Sequence, residues 1–304
     1  MKHKPYRVLL FILLKIVHII VLILPYKISA RLGAFCGSLA FRFANRYNSL
    51  TVQNLKAVFS PQFDDKRIRK IAKGCFRNIG MTAAEVLSLN KLSPKDVLRL
   101  VRETDFSLIE EALSQGRGCI VIGSHFGNWE MASVFGAARG HKVTVVAKRI
   151  YYHRYNRLLV SLRDAHKVKT LYRDEPDVLR KCLRVLKSNG ILGIVPDQDV
   201  SSVDGVFVDF FGRPAYTPKG PIAIAMLSGT PVVQSFMVRE PAGLHLYIEG
   251  PLRIEKSGNK DGDILQYTKT WTQVLERYIR RYPTHWVWMH KRWKTRPEER
   301  QDTS

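Results

Sequence analysis

Residues 118–130 read Gly-Cys-Ile-Val-Ile-Gly-Ser-His-Phe-Gly-Asn-Trp-Glu. Four apolar residues, Cys119 to Ile122, predict a short buried strand. Gly123 and Gly127 break the extended run, and 128–136 predicts a helix. A strand that stops, puts out His125 and then starts a helix carrying Glu130 can bring an imidazole and a carboxylate together. It does so at the carboxyl end of a strand, where α/β proteins keep their sites. Neutral imidazole is the usual general base near neutral pH. A carboxylate on its second nitrogen would fix the tautomer and stabilise the cation that forms. The backbone N–H groups of Gly127 and Asn128, at the helix start, could face developing negative charge. With 9 His and 26 acidic residues, one His-x4-acid pair arises by chance about once in such a chain. The spacing therefore equally describes a histidine capping a helix whose first turn carries an acid favoured by the dipole.

Outward from this stretch, apolar runs at 142–147, 191–195, 231–238 and 244–250 predict further strands. Helices are predicted at 151–163, 177–189 (with Val178, Leu179, Leu183 and Leu186 on one side and Gly190 as C-cap), 218–229 and 271–281. Thr217 is expected to cap the helix that begins at Pro218. The alternation predicts an α/β domain with a mixed, largely parallel sheet flanked by helices. Lys148-Arg149 follows the second strand and Asp197-Gln198-Asp199 the third, so three strands bring polar groups to one edge. Earlier in the chain, 52–100 is helical, with breaks at Ser60-Pro61 and Ser93-Pro94, and Ser93 is placed to cap a helix starting at Pro94.

Lys and Arg outnumber Asp and Glu 49 to 26, giving a net charge of +23 and a pI near 10.1. Such an excess calls for anionic partners: a membrane surface, an acidic carrier protein, phosphorylated lipid or nucleic acid. Nucleic acid is not expected, because zinc-ligand spacing, aromatic RNA-binding signatures and a helix-turn-helix are all missing from the sequence. Cys36, Cys75, Cys119 and Cys182 stand far apart, as single thiols do in a reducing compartment. No metal-ligand cluster stands out, and neither a metal nor another cofactor is expected. Lys2, Lys4 and Arg7 precede an almost wholly apolar run at 8–24, followed by Pro25 and Tyr26 rather than by a cleavage site. At about 25 Å as a helix this run falls a little short of the roughly 30 Å hydrocarbon core, and Lys15 sits inside it. It predicts an N-terminal membrane helix, either spanning or lying in the interface. Residues 28–47 add a second, less apolar helix, making 1–47 a membrane-anchoring segment and 48–304 a single larger domain.

Ser-His-Phe-Gly-Asn-Trp-Glu at 124–130 resembles the first signature block of the lysophospholipid acyltransferase superfamily. More narrowly, it resembles the late acyltransferases of lipid A synthesis, with their His-x4-Asp/Glu block. Later segments agree in order: Asp-Gln-Asp at 197–199, Gly-Val-Phe-Val-Asp-Phe-Phe-Gly at 205–212, and the Trp- and Arg-rich run at 286–297. The resemblance implies a glycerolipid-acyltransferase architecture with a groove across the sheet edge. It implies transfer of an acyl chain from a thioester, carried by acyl carrier protein, to a hydroxyl of a lipid A precursor at the cytoplasmic face of the inner membrane. His125 would take the hydroxyl proton and Glu130 would orient it, without an acyl-enzyme. Arg149 and Arg163 match family arginines whose implied role is to hold phosphate or the carrier's phosphopantetheine arm. Asp197, Gln198 and Asp199 would contact the acceptor or brace the catalytic pair. Phe207 and Phe210 would line an acyl or acceptor groove, or else form a core hairpin. Arg292 is expected at the substrate, in a block whose Trp and basic residues also suit a membrane interface. Ser124 is set aside as a nucleophile: neighbours on an extended chain point oppositely, and no Gly-x-Ser-x-Gly elbow surrounds it. Two alternatives differ in kind: a lysophospholipid or other glycolipid acceptor, and a membrane-tethered basic protein without catalysis.

Overall fold

The computed structural model describes residues 5–298. Four helices come first: α1 (Pro5–Ile23), α2 (Tyr26–Phe43), α3 (Asn45–Phe59) and α4 (Asp65–Leu87). Helix α5 (Pro94–Leu100) is next, opened by a capping box between Ser93 and Asp96 with Pro94 in its first turn, as its sequence predicts. Then strands and helices alternate: β1 (Val101–Thr104), α6 (Ser107–Ser114), β2 (Cys119–Ile122), α7 (Trp129–Ala138), β3 (Val143–Ala147), α8 (His153–Asp164), β4 (Lys169–Tyr172), α9 (Val178–Lys187) and β5 (Ile191–Ile194). A two-stranded antiparallel hairpin, β6 (Gly205–Asp209) and β7 (Pro214–Pro218), precedes α10 (Gly220–Ser228), β8 (Val232–Glu240), β9 (Gly243–Leu252) and α11 (Lys260–Arg281).

Among the described residues the main sheet has seven strands, in the order β1-β9-β8-β2-β5-β3-β4. β8, β2, β5, β3 and β4 run parallel, so their carboxyl ends share one edge; β9 turns antiparallel to β8, and β1 runs parallel to β9. Strands this apolar need cover on both faces. One face is packed by α5, α6, α7 and α8, through Val97, Ile109, Val134 and Leu162. The other meets α4, α9, α10 and α11, where Trp271 and Ile279 are fully buried.

Several local expectations differ from what forms. Thr217 lies within β7, its hydroxyl bonded to the Ala215 carbonyl, and Lys219 occupies the N-cap of α10. Asn189, at φ 56°, takes the left-handed conformation after α9 that Gly190 was expected to take. Short polar side chains tolerate that region, and the Asn189 amide also donates to the Leu113 carbonyl. Helix α11 starts eleven residues before the predicted 271, with Asn259 accepting from the Gly262 N–H at its cap.

Helix α2 lies against α4 at glycine-only distance: a Cβ on Gly33 would stand 2.3 Å from the Gly80 carbonyl oxygen, and one on Gly37 2.1 Å from that of Phe76. Helix α1 is held at its end by the Lys91 ammonium, which donates to the carbonyls of Val21 and Leu24. Its outer side leaves Leu9, Ile12, Leu13, Ile16 and Ile23 exposed, and α2 adds Phe35 and Phe43. Among the described residues no helix is long and apolar enough to cross a membrane. From Val8 to Ile23 the helix rises about 24 Å, under the roughly 30 Å core. The spanning form of the N-terminal helix is therefore without support; Lys2 and Lys4, and the Arg7 side chain, lie outside the described residues.

Candidate active site

β2 ends at Ile122, and the chain turns through Gly123 to Gly127 into α7. The turn needs Gly127: its φ is 58°, and a Cβ there would sit 1.7 Å from the Met237 carbonyl oxygen. Contacts with the segment after α11 hold the turn from behind. The Gly127 N–H donates to the His285 carbonyl at 2.9 Å, the Val287 N–H donates to the His125 carbonyl at 3.0 Å, and Phe126 bridges Trp286. Asn128 caps α7 by accepting from the Met131 N–H at 3.0 Å, and its own amide donates to the buried Glu85 carboxylate at 2.9 Å. Arg239 in turn is salt-bridged to Glu85.

The carboxylate on His125 is Asp197, not Glu130. Asp197 Oδ1 lies 2.7 Å from His125 Nδ1, and Oδ2 accepts the His125 backbone N–H at 2.9 Å. The Trp286 indole N–H completes the set at 2.8 Å. Asp197 is fully buried at the end of β5, the immediate neighbour of β2, whereas His125 keeps 26 % of its side chain exposed. His125 lines a cavity, and the Trp129 ring packs against the imidazole in an edge arrangement, the ring centres 5.0 Å apart.

Burial acts most strongly on His125 and disfavours its cation, but the charge and hydrogen bond of Asp197, helped by the charge of Glu130, outweigh it and raise the pKa above 6.5. Burial alone would raise the pKa of Asp197; the His125 charge and hydrogen bond, His290 and the Trp286 N–H reverse this and hold it well below the usual carboxylate range. His285 and His290, both near this turn, are pushed down to about 4, chiefly by burial. They stay neutral at neutral pH, whereas His125 is the imidazole whose cation is favoured.

Glu130 is in the first turn of α7, but it is gripped by Arg163, which donates Nε and Nη2 to its two oxygens at 2.8 and 2.6 Å. Both side chains are buried, and Arg163 Nη1 also donates to Thr170 at 3.2 Å. Arg163, expected to hold phosphate, lines the cavity but directs three of its five N–H groups to Glu130 and Thr170. Arg149 is half exposed and turned outward, over the Tyr172 ring at 3.8 Å and paired with Asp174 and Glu175. Asp199 lines the cavity but is engaged by the Thr295 N–H and hydroxyl at 2.6 and 2.7 Å. Gln198 also lines the cavity.

Phe207 and Phe210 belong to the hairpin instead. Phe210 is fully buried against Trp286 and Trp293, and neither ring lines the cavity. Arg292, 1 % exposed, donates to the Tyr216 carbonyl and the Thr217 hydroxyl at 2.7 and 2.6 Å and does not reach the cavity. Trp286 and Trp288 are core residues rather than interface residues. The Gly127 N–H, expected to face an oxyanion, is already taken by His285.

The cavity measures about 1410 Å³, above the roughly 300–1,000 Å³ typical of sites for drug-sized ligands. Ala132, Ser133 and Gly136 of α7 line it, together with Phe106 and Ile109. Its walls are β-strand residues of mostly apolar type, among them Val121, Val145 and Met237. Its lining also includes the basic residues Lys148 and Arg173, which follow β3 and β4, and Lys219, which follows the hairpin.

A family model for bacterial lipid A biosynthesis acyltransferases matches residues 2–295. Among curated relatives, the lipid A biosynthesis lauroyltransferase of Escherichia coli is 26 % identical over 279 residues, covering 90 % of this chain and 88 % of its own. The palmitoleoyltransferase of the same organism is 26 % identical over 282 residues, covering 90 % and 87 %. A phosphatidylinositol mannoside acyltransferase of Mycobacterium tuberculosis is 24 % identical over 187 residues, covering 61 % and 57 %.

Proposed function

The chain belongs to the bacterial lipid A biosynthesis acyltransferase family and is an acyltransferase, and we propose that it moves a fatty acyl chain from a thioester to a hydroxyl of a lipid A precursor or related glycolipid. The observation that carries this reading is an imidazole, backed by a buried carboxylate, in the wall of a large and mainly apolar cavity. The relatives act, by name, on lipid A and on phosphatidylinositol mannoside, which supports a glycolipid acceptor.

In the proposed step His125 Nε2 takes the proton of the acceptor hydroxyl as its oxygen attacks the thioester carbonyl. Asp197 holds the Nδ1–H tautomer and stabilises the imidazolium. The oxyanion falls, in place of Gly127, to the Trp129 and Glu130 N–H groups in the first turn of α7, the Met131 N–H being held by Asn128. Collapse of the tetrahedral intermediate expels the thiolate, which recovers the proton from His125 Nε2; ester and thiol are the products. Glu130, fixed by Arg163, adds negative charge beside the ring and so favours the imidazolium. Metal and cofactor have no part in this scheme.

The net charge of +23 favours an acidic acyl carrier protein as donor. Exposed apolar residues on α1 and α2, with Arg31, Arg42 and Arg46 nearby in sequence, favour α1 and α2 lying in the interface of the inner membrane, with the site on its cytoplasmic side. The test is mass spectrometry of a glycolipid acceptor incubated with the detergent-solubilised protein and an acyl thioester. One added acyl ester is expected, and with a carrier-protein donor the rate should fall steeply as salt rises. An acceptor that gains no acyl group from any thioester would refute the reading.

A further inference from the structure

Every carboxylate that lines the cavity is engaged: Glu130 by Arg163, Asp199 by Thr295, Asp204 by Lys219 and Asp263 by Ser257. The acids after β4 are engaged too. Asp174 pairs with Arg149, Glu175 with Arg149 and Lys181, and Asp177 with Arg180 and Lys181. Arg173 and Lys148 also line the cavity, yet neither belongs to any ion pair among the described residues.

Arg173 is only partly exposed, unlike the open surface position of Lys148. Burial works against its charged form and lowers its pKa, with Asp174 offsetting this only in part. A guanidinium taken partly out of water and only partly compensated is stabilised further when an anion joins it. The two residues follow neighbouring strands. Ala147 of β3 is in register with Tyr172 of β4, and the Arg173 N–H donates to the Ala147 carbonyl at 3.0 Å, so Lys148 and Arg173 leave adjacent strands together. They share the carboxyl edge with His125 and Asp197. At about 4.8 Å per strand, β3 and β4 lie roughly 10 and 14 Å from β2.

We propose that Lys148 and Arg173 form the phosphate-binding subsite of this cavity, holding a phosphate ester of one of the two substrates while its reacting group reaches His125. A forked guanidinium beside a mobile ammonium is suited to a phosphate's several oxygens. This rests on the acyl-transfer reading for the identity of the substrates. Two carry such an ester: the donor, on the pantetheine arm of an acyl carrier, and the acceptor, on a phosphorylated sugar.

Calorimetric titration of the full-length, detergent-solubilised protein decides the proposal without depending on turnover. The probes are phosphopantetheine against pantetheine, and a glucosamine disaccharide phosphate against its dephosphorylated form. The protein is expected to bind one phosphorylated probe about ten- to a hundredfold more tightly than its counterpart, and that pair names the source. Arg173→Met should abolish the preference, Lys148→Met should weaken it, and Arg173→Lys should keep part of it, since the ammonium retains charge but not the fork. Equal binding of both members in both pairs overturns the subsite, as does a preference that survives Arg173→Met in a protein melting like wild type. Failure of acyl transfer with the preference intact would instead fall on the proposed reaction.

Discussion

Replacing Asp197 by Asn changes almost no volume but removes the charge on which the proposed base depends. The carboxylate accepts three hydrogen bonds, from His125 Nδ1, the His125 backbone N–H and the Trp286 indole. An amide offers one accepting oxygen and a donating NH2. If the oxygen stays with the two fixed donors, the NH2 faces Nδ1 and forces the proton to Nε2, the position that must be empty to receive the acceptor's proton. A charge-assisted hydrogen bond is worth about 1.5–3 kcal/mol, so losing the charge alone costs about ten- to a hundredfold in rate. Tautomer inversion extends the loss toward about 10⁴-fold, as in the serine-protease arrangement. The pH profile carries a second signature. His125 must be neutral to act, so kcat/KM should rise with pH through its pKa, which lies above 6.5 in the wild type because Asp197 outweighs burial. Without that charge burial dominates, and the rising limb in Asp197→Asn should move to lower pH. Single-turnover acyl transfer from a thioester to a glycolipid, measured from pH 5 to 9, reads both effects. A variant within about threefold of wild type, with its limb unmoved, would refute the reasoning.

Trp286→Phe should shift the same limb the other way: removing the indole donor leaves Asp197 more basic and raises His125 further, with about a tenfold loss of rate at neutral pH. Either Glu130→Gln or Arg163→Met alone leaves one member of a buried pair uncompensated and should lower the unfolding free energy by about 3–5 kcal/mol in urea titration. The double variant should lose less than the sum of the two. Gly127→Ala puts a methyl group into the Met237 carbonyl at a positive φ and should lower the melting temperature as well as abolish transfer. Ser124→Ala should keep substantial activity, as measured by the same transfer assay; loss comparable to that of His125→Ala would restore Ser124 as a nucleophile.

What the sequence made legible was local. The strand, the glycine turn and helix α7 could be read because apolar run, breaker and cap adjoin one another in the chain. The 205–212 segment did form a hairpin, since its alternation is a property of five or so consecutive residues. β1 and β4 escaped notice because these four-residue edge strands, Val-Arg-Glu-Thr and Lys-Thr-Leu-Tyr, carry no apolar run to detect. The partner of His125 depends on strand order. Asp197 reaches it because β5 lies next to β2, and nothing in the spacing of residues 125 and 197 states that. Glu130 looked like the partner because it is near in sequence, yet Arg163, delivered by α8, draws it away. The interleaved Trp and basic residues near the end read the same whether they face lipid or core. Here Trp286 and Trp288 go inward and brace the turn, and even Arg292 is buried, its charge met by hairpin oxygens.

One comparison bears on all of this most directly: the single-turnover rate of acyl transfer by His125→Ala beside that of the wild type, with intact-protein mass recorded before acceptor is added. A base that removes the hydroxyl proton is worth roughly 10²–10⁴-fold, so transfer should fall by that amount, and neither protein should gain the mass of an acyl group from the thioester alone. Transfer by His125→Ala within about tenfold of wild type, or an acylated wild-type protein that delivers its chain when acceptor is added, would contradict direct attack assisted by this imidazole.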